Sequence, residues 1–214
     1  MNAQDLFEEE RRDTVLGEGA RLLGGFARDE AGALFAALLE VAAVSPLRHM
    51  VTPGGRRMSV SMTNCGRAGW ISDRTGYRYG PLDPDTGEAW PAMPALFLDL
   101  AARAAAAAGF AGFVPDVCLI NRYAPGARLT LHQDRDERGL DAPIVSVSLG
   151  LPATFLWGGL TRGDRPRRFR LAHGDVAVWG GPARMTYHGI DTLKEGDHPL
   201  TGAARYNLTF RKAL

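Results

Sequence analysis

From Asp116 onward the chain breaks into short β-rich runs, and that pattern leaves few folds open. DVCLINRYA, RLTLHQD, PIVSVSLGL, ATFLW, RRFRLA, DVAVWG, RMTYHGI and RYNLTFRK make about eight candidate strands. Pro125-Gly126, Gly158-Gly159, Gly174-Asp175 and Gly180-Gly181 punctuate them. Strands this short with turn residues between them suit tight hairpins and a closed or double-sheet β core. The expected architecture is therefore a jelly-roll barrel.

Upstream the periodicity changes. Leu34, Phe35, Leu38, Leu39 and Val41 recur at three- and four-residue steps, which predicts an amphipathic helix over 29–44 with Asp29 as N-cap and Pro46 as stop. A second helix is predicted over 94–108, opened by Pro94 and closed by Gly109. Both are expected to buttress the sheet. Met58, Val60 and Met62 alternate with Ser59, Ser61 and Thr63, the period of a half-buried strand. From Asn64 to Trp90 no periodicity survives, yet Trp70, Tyr77 and Tyr79 sit there; unstructured stretches of that length in compact domains are often functional.

The chain has 214 residues, enough for one domain with a core that needs no disulfide. There is no internal repeat or low-complexity linker. The expected division is a loose acidic extension over 1–15 and a single domain over 16–214. The charge-free apolar stretch from Ala104 to Val114 is too short to cross a bilayer, and the acidic start with Asp5, Glu8, Glu9 and Glu10 is unlike a signal peptide. Cys65 and Cys118 are widely spaced and read as buried reduced thiols. A cytoplasmic protein with no membrane partner is the expectation. Net charge is +1, but it is segregated: residues 1–40 carry −5 and residues 41–214 carry +6, with five arginines between Arg162 and Arg170. An ordinary charge balance argues against a protein held by many phosphate contacts and predicts a shallow salt dependence. It leaves nucleic acid open as a substrate.

His132 and Asp134 are two apart on a predicted strand, so both side chains emerge on one face. Alone this pair is a weak signal, since a histidine bonded to a neighbouring carboxylate is commonplace. His188, fifty-four residues beyond Asp134, lies on a strand that a jelly roll can bring alongside. Two imidazoles and one carboxylate leaving open positions favour non-haem Fe(II) in an oxygenase. Zinc suits the same donors, but no general base for hydrolysis stands out. An Fe(II) oxygenase also needs a reducing co-substrate, and a dicarboxylate needs an anion clamp. On the last strand Arg205, Asn207, Thr209 and Arg211 alternate with Tyr206, Leu208 and Phe210. Inward arginines suit bidentate carboxylate binding, whereas the plainer alternative is a surface strand with its polar face in water. Asn121 and Tyr123 share a face in the same way.

With these residues, NRYAPG, LHQDRDE, SVSLGLPA, HGDVAVWGG, YHGI and RYNLTFR resemble the AlkB family of Fe(II)- and 2-oxoglutarate-dependent dioxygenases. The resemblance runs from about Gly17 to Arg211 and includes MVTPGG, MSVSMTNCG and WPAMP. It implies a mostly β fold with buttressing helices around a double-stranded β-helix, a jelly-roll, cupin-like core. It further implies His132, Asp134 and His188 as the iron ligands and catalytic centre, with O2 as second co-substrate. Asn121, Tyr123, Arg205, Asn207 and Arg211 match the 2-oxoglutarate-binding positions. The base-recognition region falls at about 50–90: Trp70 matches the aromatic that stacks on the flipped base, and Tyr77, Arg78 and Tyr79 match the stretch contacting substrate and its phosphate. Asp136 and Arg162 match further substrate contacts. Asp136 and Glu137 also read as a solvated charge run beside Arg135 and Arg138.

The implied activity is oxidative demethylation of N-alkylated bases such as 1-methyladenine and 3-methylcytosine, with release of formaldehyde and succinate. Such lesions are cationic, so an aromatic face and a carboxylate favour them over normal bases, and their poor pairing lowers the cost of flipping. The implied partner is alkylated single- or double-stranded DNA, with RNA as an alternative, and the implied state is a monomer. Two other readings are a dioxygenase of this scaffold acting on a non-nucleic-acid substrate and a non-catalytic nucleic-acid-binding β-barrel.

Overall fold

The computed structural model describes residues 12–214. Most of the acidic extension set apart over 1–15 lies outside the described residues. Strand β1 (Thr14–Gly17) and strand β2 (Ala20–Leu23) form an opening hairpin, and helix α1 follows over Ala31–Val44. Next come β3 (Ser61–Gly66), β4 (Gly69–Asp73), β5 (Gly76–Gly80) and helix α2 (Ala95–Ala107). The eight strands read from the turn pattern are then β6 (Val117–Tyr123), β7 (Leu129–His132), β8 (Ile144–Gly150), β9 (Ala153–Trp157), β10 (Arg167–Leu171), β11 (Val176–Trp179), β12 (His188–Ile190) and β13 (Arg205–Arg211).

Seven strands form one antiparallel sheet in the order β1-β2-β11-β8-β13-β6-β3, and four form a second in the order β10-β9-β12-β7. Two sheets with this interleaved order are the double-stranded β-helix that the sequence predicts. Alternation assigns the faces of the large sheet. Cys118, Ile120, Val145, Val147, Val176, Val178, Leu208 and Phe210 belong to an apolar layer with Leu34, Leu38, Phe97 and Leu100 of the helices. Phe97 meets Phe210 edge-on at 5.9 Å, and Phe35 meets Tyr206 at 5.1 Å. Each fully buried side chain of this kind stabilises by about 2 kcal/mol. The opposite face looks into the barrel, where Leu119, Phe155, Trp157 and Trp179 form a second core.

Three local expectations change. Asp29 does not cap α1, which begins two residues later with no side-chain cap at Glu30; Glu30 instead reaches Arg103 of α2 at 2.6 Å and ties the helices together. The strand expected to begin at Met58 begins at Ser61, and both of its faces are buried because it closes the large sheet under other elements. Its polar members are compensated, since Thr63 Oγ1 donates to the Ser45 carbonyl at 2.7 Å. The stretch from Asn64 to Trp90 contains the β4–β5 hairpin rather than a structureless loop. Cys65 and Cys118 are buried free thiols facing each other across β3 and β6, and burial pushes the Cys118 pKa well up.

Candidate active site

Pairing of β7 with β12 sets His132 directly opposite His188. Gly189 makes this close approach possible: a side chain there would collide with the Leu129 carbonyl oxygen at 2.6 Å. Asp134 follows β7 and turns inward, with Oδ1 3.6 Å from His132 Nε2 and Oδ2 3.7 Å from His188 Nε2. One ligand atom from each lies within 4.8 Å of the others, and this is the one such set of three among the described residues.

Each imidazole is oriented by the chain two residues before it. His132 Nδ1 lies 2.9 Å from the Thr130 carbonyl and His188 Nδ1 lies 2.9 Å from the Thr186 carbonyl. With Nδ1–H donated to a carbonyl, Nε2 keeps its lone pair for a metal. Burial, reinforced by His132, pushes the His188 pKa down to about 4, so the ring is a neutral ligand. Burial works against the charge of Asp134, but Arg211 and the two histidines hold its carboxyl well below the usual range. His49, His173 and His198 join no such set. His173 and His198 pack ring to ring at 4.4 Å, and each accepts a backbone N–H.

Facing these ligands, β13 buries its polar side chains along the barrel interior, so the alternative of a solvated strand face does not apply. Arg205 is 1% exposed and Asn207 6%. Arg205 Nη2 donates to Ser148 Oγ at 3.0 Å, and its guanidinium lies 4.9 Å from the Tyr123 ring centre. Asn121 Nδ2 donates to Asn207 Oδ1 at 3.1 Å, and Thr209 Oγ1 donates to the same oxygen at 2.8 Å. No carboxylate of the described residues meets Arg205, whose Nε and Nη1 are buried without a partner; Arg211 Nη1, Asn121 Oδ1 and Trp179 Nε1 are in the same state. Burial lowers the Arg205 pKa. A buried cation with unmet donors is costly unless an anion reaches it. The donor set therefore fits a dicarboxylate with one end at Arg205, and the neighbouring His-Asp-His set fits Fe(II).

These groups share one cavity of about 340 Å³. Its outer wall carries Trp70, Tyr77, Tyr79, Asp136 and Arg162. Trp70 stacks on Tyr77 with ring centres 5.5 Å apart and planes within 14°. Trp70 Nε1 donates to Asp136 Oδ2 at 2.9 Å. Asn64 fixes the Trp70 backbone with both ends of its amide, at 2.9 and 3.1 Å. Beneath the hairpin, Trp90 Nε1 donates to the Gly80 carbonyl and the indole fills the space where a Gly69 side chain would be. Arg78 lies elsewhere: strand alternation turns it away from the cavity, where it pairs with Asp73 at 2.6 Å.

Sequence reasoning missed two residues here. Glu137, read as part of a solvated charge run, is buried; it accepts from Tyr79 at 2.7 Å and from Arg184 at 3.1 Å and lies 3.2 Å from Arg211. Arg184 also donates to the Asp134 carbonyl at 2.6 Å.

A metal triad of two histidines and a carboxylate, set beside a buried anion cradle inside a double-stranded β-helix, defines a non-haem Fe(II)- and 2-oxoglutarate-dependent dioxygenase. Residues 19–211 match the family model of the 2OG-Fe(II) oxygenase superfamily. The chain is 59% identical to the alpha-ketoglutarate-dependent dioxygenase AlkB of Escherichia coli over 98% of its own length and 97% of that protein. It is 40% identical over 110 residues, 45% of this chain and 24% of that protein, to the DNA N(6)-methyladenine demethylase ALKBH1D of Arabidopsis thaliana. The solved structure of OsALKBH1 superposes with a TM-score of 0.81 at 28% identity, covering 94% of this chain and 99% of that one. The chain belongs to the AlkB family of 2OG-Fe(II) oxygenases. Its cofactors are Fe(II), 2-oxoglutarate and O2.

Proposed function

We propose that this enzyme removes N-alkyl groups from nucleic-acid bases such as 1-methyladenine and 3-methylcytosine by oxidative demethylation. The observation that carries the reading is the stacked Trp70–Tyr77 pair with Asp136, opening into the same cavity as the His-Asp-His set. An aromatic face and an acidic edge suit a flat, cationic ring, and the relative in Arabidopsis is named for demethylation of a DNA base.

In this reading His132, Asp134 and His188 hold Fe(II), while Asn121, Tyr123, Arg205, Asn207 and Arg211 hold 2-oxoglutarate. Iron and 2-oxoglutarate bound there would supply, with O2 as oxidant, the hydroxylation of the N-methyl carbon, 2-oxoglutarate leaving as succinate and CO2. The protein positions and shields the reactants. Trp70 and Tyr77 stack the flipped base, Tyr79 and Asp136 bound its pocket, and Arg162 closes the side nearest the β9–β10 connection. Phe155, Trp157 and Trp179 pack within 6.5 Å, ring centre to ring centre, of His188 and keep bulk water from that ligand. Arg78, turned outward and paired with Asp73, is read as the contact to a backbone phosphate. The hydroxymethyl adduct then breaks down to formaldehyde and the unmodified base.

Residues 16–214 act as one catalytic unit with 50–90 as its base-recognition region. The enzyme works as a cytoplasmic monomer on DNA, single- or double-stranded, with RNA as a second substrate class. Among the described residues no helix is long and apolar enough to cross a membrane. The test is release of formaldehyde and succinate with oligonucleotides carrying 1-methyladenine or 3-methylcytosine, in DNA and in RNA. Product is expected only with the methylated strands; equal succinate from unmodified strands would overturn the base assignment.

A further inference from the structure

A chain of hydrogen bonds, with one ion pair between Glu137 and Arg211, joins the base-facing hairpin to an iron ligand. Tyr79 on β5 donates its hydroxyl to Glu137 Oε1 at 2.7 Å. The same carboxylate oxygen lies 3.2 Å from Arg211 Nε. Arg211 grips Asp134 Oδ2 through Nε at 3.1 Å and Nη2 at 2.8 Å. The second Glu137 oxygen accepts from Arg184 Nη2, and Arg184 Nη1 in turn donates to the Asp134 carbonyl. The side chains of Glu137, Arg184 and Arg211 are 2%, 3% and 6% exposed.

One donor in this network has no protein partner: Arg211 Nη1, buried on the cavity wall. In a buried network the position of each member depends on the others. A carboxylate that meets Nη1 fixes the guanidinium plane, which fixes its ion pair with Glu137 and so holds the oxygen that Tyr79 uses. A parallel tie runs from Trp70 to Asp136, one residue away. The segment 134–137 thus supplies a metal ligand and the two side-chain acceptors that hold Trp70 and Tyr79 of the hairpin.

We propose that Tyr79 and Glu137 are positioning residues through which the hairpin responds to co-substrate. Occupancy of Arg211 by a 2-oxoglutarate carboxylate tightens the hairpin on a methylated base. By linkage, the base tightens co-substrate binding by the same factor. This inference rests on the base-demethylase reading above.

The experiment uses the whole protein loaded with Mn(II), which binds without turnover, and a dye-labelled single strand carrying 1-methyladenine. Anisotropy titrations with and without saturating 2-oxoglutarate give the coupling factor, and 2-oxoglutarate titrations with and without the strand give its reciprocal. About tenfold is expected for the native protein. Tyr79→Phe keeps the ring and removes one hydroxyl; its coupling is expected to fall to within twofold of none, with strand-free 2-oxoglutarate affinity unchanged. Glu137→Gln retains an acceptor for Tyr79 but loses its charge toward Arg211, and is expected to keep part of the coupling. Full coupling in Tyr79→Phe overturns the inference. So does absence of coupling in a native protein that still prefers the methylated strand, and the base reading then stands. No preference for methylated over unmodified strand overturns the base reading, and the inference with it.

Discussion

The cavity has two walls built in different ways. The proposed co-substrate cradle lies on β6, β8 and β13, each bordered by a strand on either side within the seven-stranded sheet and covered behind by helices. The base-facing wall is the β4–β5 hairpin, whose strands pair only with each other, and Tyr77 on it is 48% exposed. In the proposed reading the cradle meets one small reagent, and buried donors held from all sides suit such a ligand. In the same reading the hairpin meets a flexible polymer, and its exposed turn at Arg74 and Thr75, with Tyr77 beside it, leaves that wall open to solvent. Its root is firmer than its tip: Asn64 and Trp90 hold the root, and Arg48, lying 5.3 Å over Trp90, pairs with Asp83.

The sharpest division between the walls comes from their variants. His132→Ala or Asp134→Ala is expected to reduce succinate and formaldehyde release to background, as is chelation of the metal. Full iron-dependent activity in Asp134→Ala would remove the ligand assignment on which both walls converge. Arg205→Ala is expected to weaken 2-oxoglutarate binding about 100-fold, the loss of two or so charge-assisted hydrogen bonds, while methylated-base recognition keeps its selectivity. An unchanged dissociation constant by calorimetry would show that the cradle does not clamp the co-substrate. Trp70→Ala is expected to do the converse: about tenfold weaker binding of a methylated strand, from lost stacking, with 2-oxoglutarate affinity within twofold of native. Equal damage to both ligands would erase the contrast.

The smallest effect concerns the hairpin root. Burial disfavours the Asp83 charge, yet hydrogen bonds from Arg48 and Ser45 outweigh it and hold the carboxyl at about 2. An ordinary carboxylate in the unfolded chain titrates near 4, so Asp83 stabilises the fold above about pH 4 and this contribution fades as pH falls toward 2. Native protein should therefore melt above Asp83→Asn at neutral pH, and the gap should narrow between pH 4 and pH 2. A gap independent of pH would mean that the ion pair does not support the root.

What the sequence revealed follows the same contrast. All eight strands after Asp116 were legible because turn residues bound them and alternation sorts their faces; on β13 that alternation separated Arg205, Asn207 and Arg211 from Leu208 and Phe210 before any contact was known. The triad was legible because His132 and Asp134 stand two apart where a strand was expected, although β7 ends at His132 and Asp134 lies just past it, and because His188 lies on the strand that the fold sets opposite. The hairpin was not: GWISD and GYRYG are short, rich in glycine and polar groups, and are held by partners distant in the chain such as Asp136 and Glu137. Glu137 and Arg184 escaped for a related reason, since a charged residue becomes interior only when another element brings its counter-charge. Strands β1 and β2 gave no separate signal because β2 joins the sheet through β11, more than a hundred residues away in the chain.

The strict alternation on β13 has a consequence for how the protein folds. Sliding that strand by one position against β6 and β8 would drive Arg205 and Arg211 into the oily layer under the helices and expose Leu208 to the metal. Such a misaligned chain has neither a stable interior nor a place for the reagent. Alignment errors are thus rejected twice, by solvation and by chemistry. 2-Oxoglutarate added to refolding protein should favour the correctly threaded molecule, because a ligand that binds only the native state stabilises that state.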